Sequence, residues 1–167
     1  VEMKNLQEFR STIGDWRFRE FTSGSKFRNG DTLFARITPC LENGKIGLVR
    51  SLPTNAVGWG STEFIVLRPR LGISPLLGFA LGINPEFREL AISSMTGSSG
   101  RQRARTEVLH NFTLFMPPAS ILDEINATID ALESRISKNQ AKIKNVTAQR
   151  DTLLPKLMSG EVRVQMD

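Results

Sequence analysis

The chain has a single cysteine, Cys40, and a single histidine, His110. One cysteine cannot form a disulfide within the chain, so the composition fits the cytoplasm. One histidine excludes a histidine pair, and no cluster of cysteines and histidines is present that would bind zinc. A nucleophilic pair of Cys40 with His110 is formally possible, but such a pairing is a weak signal when no other catalytic motif accompanies it.

Long apolar runs and nucleotide-binding motifs are also missing. The apolar run over residues 73–83 is short and is broken by glycine and proline, so we expect neither a membrane span nor a signal peptide. The pair Gly58 and Gly60 begins a G-x-G-x-x-G pattern, but Glu63 stands where the third glycine belongs. We therefore expect a chain that catalyses no reaction by itself and binds no cofactor or metal.

The charge of the chain is unevenly distributed. The formal net charge is +5, and residues 1–118 carry all of it, with fifteen Lys and Arg against ten Asp and Glu. Residues 119–167 carry seven of each sign and are neutral. A basic surface favours a polyanion such as nucleic acid as a partner. The split indicates a first part that binds a polyanion and a second part that binds protein.

Residues 1–118 have the pattern of a mixed α/β domain. Alternating and β-branched residues predict strands over residues 31–37, 46–50, 62–68 and 112–116, and Asn43-Gly44 predicts a hairpin turn. The pairs Ser74-Pro75 and Asn84-Pro85 predict the starts of two helices, over residues 76–81 and 86–94. Residues 10–30 are predicted to form a loop, and residues 58–61 a turn.

The last part of the chain carries a heptad repeat. Apolar residues recur at alternating steps of three and four, which predicts a helix of roughly 50 Å that pairs with another helix as a coiled coil. Pro155 predicts a kink or an end, and Gly160 a cap. A surface helix with a wide apolar stripe is the alternative. The predicted pairing positions are Leu122, Ile125, Ile129, Leu132, Ile136, Asn139, Ile143, Val146 and Leu153.

A flexible loop near residues 95–105 is the main candidate for binding nucleic acid. It combines glycine and serine with three arginines, and an arginine fork can bind phosphate or guanine while glutamine can pair with adenine. A solvated loop with scattered charge is the alternative. The predicted DNA-binding residues are Lys26, Arg28, Arg36, Lys45, Ser98, Ser99, Arg101, Gln102, Arg103 and Arg105.

Four segments of the chain resemble a known protein family. Residues 30–45, which read GDTLFARITPCLENGK, are similar to a signature of the specificity (S) subunits of type I restriction–modification systems. Residues 60–64 (GSTEF), 96–102 (TGSSGRQ) and 153–161 (LLPKLMSGE) fit the same family. The resemblance covers nearly the whole chain from about residue 26.

The resemblance implies an α+β fold, with a globular target recognition domain over residues 1–118 followed by a long spacer helix over residues 119–167. Such subunits carry two recognition domains and two helices, bind a bipartite double-stranded DNA target, and dock methyltransferase (M) subunits and, through them, the restriction (R) subunit. Because this chain has one of each element and opens on Val1, two expectations stand. It is either a half-subunit that forms a homodimer through antiparallel helices, or the C-terminal half of a longer subunit.

The resemblance also separates two classes of DNA contact. The signature over residues 30–45 recurs among members with different targets, so it more plausibly builds the scaffold or binds phosphate. Base-reading residues are expected within 10–28, 50–60 and 98–105, first of all Arg101, Gln102 and Arg103. Two other functions remain as alternatives. One is a coiled-coil interaction protein whose basic domain binds nucleic acid without sequence preference, and the other is a self-contained enzyme.

Overall fold

The computed structural model describes residues 1–70 and 72–162, which form two compact units, Val1–Asp123 and a second that begins at Glu124. The first unit contains six strands: β1 (Gln7–Glu8), β2 (Ser25–Phe27), β3 (Thr32–Ala35), β4 (Lys45–Leu48), β5 (Gly58–Gly60) and β6 (Phe64–Leu67). A four-stranded sheet has the order β1-β4-β3-β6, β2 pairs with β5, and each of these pairs is antiparallel. With its helices and the long C-terminal helix, the chain has the predicted α+β fold.

The central strand β3 is buried on both faces. Its neighbours are β4 on one side and β6 on the other, and all four of its residues are buried. Because side chains alternate along a strand, Leu33 and Phe34 enter different cores. Phe34 packs in a cluster with Phe79 and Phe87, whereas Leu33 packs in a second cluster with Phe27 and Phe64. The sheet thus separates two apolar cores.

Three α-helices lie in the first unit before the long one: α1 (Pro75–Ile83), α2 (Pro85–Ser93) and the short α3 (Thr106–Leu109), and a 3-10 helix spans Met3–Asn5. The predicted caps are confirmed, since Ser74 Oγ accepts a hydrogen bond from the Leu76 amide, and Asn84 Oδ1 accepts one from the Phe87 amide at 2.9 Å. Gly82 permits α1 to lie close to the sheet, because a Cβ there would be 2.4 Å from Ile46 Cδ1.

The strands around residues 31–37, 46–50 and 62–68 exist, each with bounds shorter than predicted. Two other predictions are wrong, because the predicted turn over residues 58–61 contains β5 and the predicted loop over residues 10–30 contains β2. The glycines were the reason for predicting a turn. A Cβ at Gly58 would lie 2.4 Å from Phe27 Cε2, so glycine at this position allows β5 to pack closely against the Phe27 ring. Gly44 has the positive φ of +75° expected in a turn, although the β3–β4 connection spans residues 36–44.

The strand predicted over residues 112–116 is also wrong, since those residues have no regular secondary structure. Phe112 packs edge-on against Phe87, with ring centroids 5.2 Å apart, whereas Leu114, Phe115 and Met116 are exposed. Alternation alone cannot make a strand when no neighbouring strand offers hydrogen bonds.

The long helix α4 (Ala119–Met158) has 40 residues, which corresponds to roughly 60 Å at 1.5 Å per residue. Helical structure continues through Pro155, so the end predicted there is wrong, and the helix ends three residues later. The predicted cap at Gly160 is confirmed by its φ of +73° and by its amide, which donates to the Leu157 carbonyl. Among the described residues, no helix combines the length and apolar character that crossing a bilayer requires. Residues 163–167 of the predicted tail lie outside the described residues.

An ion pair between the buried carboxylate of Asp31 and the partly exposed Arg68 joins the end of β6 to the start of β3. Asp31 is 1% exposed and accepts two hydrogen bonds from the Arg68 guanidinium, at 2.7 and 2.6 Å. Asp31 Oδ2 also accepts the Arg28 amide at 2.8 Å. Hydrogen bonding to Asp31 raises the pKa of Arg68. This bidentate pair therefore holds the edge strand β6 in register at the point where β3 begins.

Removal of Arg68 tests this pair. We expect Arg68→Ala to lower the free energy of unfolding by about 2 kcal/mol, because it leaves a buried carboxylate without its partner, while the half-exposed arginine keeps the loss below that of a fully buried pair. Urea denaturation measures the effect. Arg70→Ala is the matched control, since Arg70 is an exposed arginine two residues away, and equal losses in the two variants would contradict this account.

Candidate nucleic-acid interface

The candidate interface is centred on residues 96–105, which we call the arginine loop. Thr96 and Arg103 face each other as an antiparallel bridge, and each amide donates to the other carbonyl, at 3.1 and 2.9 Å. The tip is closed by a turn in which the Arg101 amide donates to the Ser98 carbonyl at 3.0 Å. Gly97 has a φ of +127°, a conformation that side chains disfavour. The arginine loop therefore has a paired base and a tight turn at its tip.

The base of the arginine loop is attached to the end of β3. The Thr38 amide donates to the Gln102 carbonyl at 3.0 Å, and the Ala104 amide donates to the Arg36 carbonyl at 2.8 Å. Ala104 is fully buried in the core beside Phe34. The prediction of a flexible segment is thus wrong for residues 102–104, because long-range hydrogen bonds and burial hold them in place.

The tip of the arginine loop presents polar side chains to solvent. Ser98, Ser99 and Arg101 are exposed, and within the described residues their side chains make no hydrogen bond or ion pair. Arg105 is exposed as well, beyond the base, and its amide donates to Ser94 Oγ at 3.1 Å. Gln102 is half-buried. The structure therefore brings five of the predicted DNA-binding residues into one surface region.

Arg103 differs from its neighbours because its guanidinium is engaged within the chain. Nε and Nη2 donate to the Glu63 carboxylate at 2.7–3.0 Å, and Nη1 donates to the Arg101 carbonyl at 3.1 Å. The hydrogen bonds to Glu63 raise the pKa of Arg103. Sequence reasoning did not link Glu63 to Arg103, because forty positions separate them, although Glu63 lies in the GSTEF segment that resembles the family.

Arg36 lies at the base of the arginine loop. Its amide donates to the Glu63 carbonyl at 3.0 Å, and its side chain is half-buried, with an Nε that has no hydrogen-bond partner among the described residues. Arg36 and Arg103 thus approach Glu63 from two sides, one through the backbone and one through the side chain. These backbone contacts place Arg36 beside the predicted DNA-binding residues of the arginine loop.

Three predicted cations lie apart from these contacts. Lys45 Nζ donates to the Leu6 carbonyl at 3.0 Å, which occupies this lysine inside the fold. Lys26 lies on β2 opposite Trp59, with Nζ 4.5 Å from the centre of the Phe21 ring. Arg28 is exposed in the turn after β2. Among these three, Lys26 and Arg28 are the ones whose exposure leaves them open to a partner.

A group of aromatic side chains lies in another part of the first unit, and one of them, Trp59, is of a residue type that can stack on bases, although tryptophan is more often a core residue. Trp16 and Phe18 meet edge-on at 5.1 Å, Phe21 meets Trp59 at 5.7 Å, and Phe18 is 80% exposed. A cavity of about 440 Å³ is lined by residues from 1–5, 15–19 and 52–59, together with Phe27. The alternation of aromatic and arginine residues over 16–19 is the signal that marks this surface, and it lies within the ranges 10–28 and 50–60 already named for base reading.

No metal or nucleophilic centre is formed by the described residues. In that part of the chain, no three His, Cys, Asp or Glu side chains are grouped closely enough to hold a metal ion. Cys40 is half-buried and His110 is exposed, and no hydrogen bond joins them in residues 1–70 and 72–162.

The predicted pairing positions lie along α4 at alternating steps of three and four residues as far as Val146, and Leu153 follows seven residues later. No residue of α4 is buried, and Leu132, Ile143, Val146 and Leu153 are each about half exposed or more. Asn139 and Arg150 are the two polar breaks in this apolar stripe. An apolar stripe of this length that stays uncovered in the described part of the chain is typical of a helix that pairs with another helix.

Two curated proteins of Escherichia coli are similar to the chain in sequence. The EcoEI type I restriction enzyme specificity subunit is 35% identical over 107 residues, which cover 64% of this chain and 18% of that protein. The EcoAI specificity subunit is 38% identical over 96 residues, which cover 55% of this chain and 16% of that protein. The matched parts thus span less than a fifth of either relative. No family model matches the chain.

Solved structures share the fold. The crystal structure of the HsdS subunit from Thermoanaerobacter tengcongensis aligns with a TM-score of 0.59 at 20% identity, over 95% of this chain and 40% of that one. A chain from a structure of the type I R-M system aligns with a TM-score of 0.59 at 18% identity, over 100% of this chain and 44% of that one. Fold and sequence similarity point to the same class of protein that the sequence motifs predicted.

The backbone of Gly97 offers a test of the arginine loop. We expect Gly97→Ala to destabilise the loop by about 1–2 kcal/mol, since an L-residue is strained at this φ and the new Cβ would lie 3.1 Å from the Arg101 carbonyl oxygen. Faster amide hydrogen exchange at Arg103 would report the change. Gly100→Asn is the matched control, because its φ of +76° suits asparagine and no atom lies within 4 Å. Unchanged exchange in Gly97→Ala would contradict the role given to the turn.

Proposed function

Because the chain is related in sequence and fold to part of the type I restriction specificity subunits, we propose that it is a DNA-specificity module. It catalyses no reaction itself, binds one half of a bipartite double-stranded target, and docks methyltransferase subunits through α4. The observation that carries this proposal is the 35–38% identity to two specificity subunits. Recruitment of the restriction subunit then occurs through the methyltransferase, in the cytoplasm.

The charge and shape of the arginine loop support DNA as the ligand. Arg101 and Arg105 are exposed cations whose side chains have no partner among residues 1–70 and 72–162, and the serines and glycines of the tip allow the backbone to come close to a phosphate. Lys26 and Arg28 add two exposed cations on and after β2. In a groove of B-DNA, an arginine fork of this loop can bind guanine.

The stripe on α4 supports pairing with a second helix. In an antiparallel pair of two copies, each recognition domain would belong to one end of a spacer of roughly 60 Å, which exceeds one turn of DNA. A two-fold dimer of this kind would bind a palindromic site with an unread gap. In a longer subunit, the second helix would come from the same chain.

A coiled-coil interaction protein is the competing function, favoured by the extent of the exposed stripe on α4. In that case the basic unit would bind nucleic acid through phosphates alone, and binding would have no sequence preference. Sequence-specific binding separates the two functions. Methylation of DNA by the chain alone with S-adenosylmethionine would instead support an enzyme.

Selection of duplexes from a random DNA pool tests the proposed function. We expect the purified chain at near-physiological salt, with its mass in solution recorded, to enrich two inverted half-sites separated by a constant gap. Arg101→Ala should then cost about 1–3 kcal/mol at one base pair if Arg101 reads a base, or weaken all duplexes alike if it binds phosphate. Arg70→Ala serves as the control for loss of an exposed arginine. Failure to enrich any sequence, both alone and with a methyltransferase subunit added, would contradict the proposal.

Pairing through α4 is tested by a charge placed in the stripe. We expect Ile136→Asp to weaken self-association or subunit docking at least tenfold, because a carboxylate in a helix–helix seam loses its water. Ser134→Asp is the matched control, since it adds the same charge on the opposite face two residues away. Sedimentation of the two variants measures the difference, and equal behaviour would show that the stripe forms no interface.

A further inference from the structure

We infer that Glu63 positions the arginine loop and keeps the Arg103 guanidinium from binding DNA phosphates. The loop therefore binds non-target DNA less strongly than it would if all three of its arginines were available. This inference rests on the proposed function and adds a residue that governs selectivity. It assigns different roles to arginines that look equivalent in sequence. Arg101 and Arg105 are free to contact DNA, whereas Arg103 organises the loop.

The position of Glu63 is fixed by its own surroundings. It precedes β6 in a turn where the Phe64 amide donates to the Ser61 carbonyl, and the Glu63 amide donates to Ser61 Oγ at 3.1 Å. Its carbonyl accepts the Arg36 amide, which ties the turn to the end of β3. The Glu63 side chain is 21% exposed. The carboxylate is therefore presented by a tethered turn and not by a mobile chain segment.

Arg103 uses all three guanidinium nitrogens within the chain. Two of them bind Glu63 and the third binds the Arg101 carbonyl, which links the carboxylate to the tip of the arginine loop. A phosphate can bind the Arg103 guanidinium only if Glu63 gives up its hydrogen bonds to that guanidinium, or if the phosphate binds next to the Glu63 carboxylate. Both alternatives cost free energy, because like charges repel and the bidentate pair must be replaced.

The ion pair has more influence on DNA binding than on stability. The Arg103 side chain is 44% exposed, so water and salt screen the pair and its contribution to folding is small. The availability of the Arg103 guanidinium has a larger effect on the binding of a polyanion. Each phosphate that a cation neutralises releases counterions, which adds to the affinity for DNA of any sequence. A carboxylate that occupies one of three neighbouring arginines therefore reduces binding that carries no sequence information.

The substitution Glu63→Gln tests this role on a duplex of random sequence. We expect the slope of log affinity against log salt concentration to steepen by about 0.9, since Arg103 becomes available for one additional phosphate. In the double variant Glu63→Gln with Arg103→Ala, the slope should return to the wild-type value. Arg103→Ala alone should leave the slope unchanged, whereas Arg101→Ala should flatten it.

Glu89→Gln is the matched control, because Glu89 is an exposed glutamate of α2 without an ion pair among the described residues. It removes the same charge from the same unit and should not steepen the slope. Amide hydrogen exchange at residues 101–103 gives a second measurement without DNA, and it should be faster in Glu63→Gln than in Glu89→Gln. Unchanged exchange, or a slope equal to that of Glu89→Gln, would overturn the inference.

The outcomes also separate this inference from the proposed function. The random-sequence duplex and the exchange measurement require no target site, so both can support the role of Glu63 even if no sequence is ever enriched. If Arg103→Ala flattens the slope as much as Arg101→Ala does, Arg103 already contacts phosphate in the wild type. That result would overturn the inference while leaving the specificity function intact.

Discussion

The burial of β3 on both faces is the constraint on which the first unit depends. Leu33 and Phe34 point into two different cores, so one short strand holds both together. The same strand is paired on both edges, and it is joined to β6 by the Asp31–Arg68 ion pair. Its last hydrogen bonds run from residue 36 to Glu63 and Ala104. The position of the arginine loop is therefore set by its hydrogen bonds to the end of β3, a strand whose four residues are all buried.

The positive charge of the chain is less available than its composition indicates. Arg68 is paired with Asp31, and the fork of Arg103 is shared between Glu63 and a carbonyl. Arg88 is buried, donates to the Leu41 carbonyl at 2.7 Å and lies over the Phe9 ring, and burial lowers its pKa. These arginines stabilise the fold or shape a loop. A count of Lys and Arg thus overstates the surface that a polyanion meets.

The second unit follows a different physical rule. A helix of 40 residues without a single buried side chain gains little from the described part of its own chain, which supports the proposed pairing of its apolar stripe with a second helix. The stripe is regular enough to read from sequence because helix pairing depends on local periodicity alone. By contrast, the first unit depends on contacts between residues far apart in sequence, such as β2 with β5.

The sequence by itself determined the elements whose cause is local: the capped starts of α1 and α2, the heptad helix, the glycine cap at its end and the signature around β3. It failed where distant residues decide the outcome. Glycines at 58 and 60 indicated a turn but form a strand against Phe27, and the alternating residues 112–116 found no strand to pair with. The arginine loop was recognised from its composition. Which of its arginines is free was decided by the tertiary structure, because Glu63 reaches Arg103 only when β6 and the loop base meet at the end of β3.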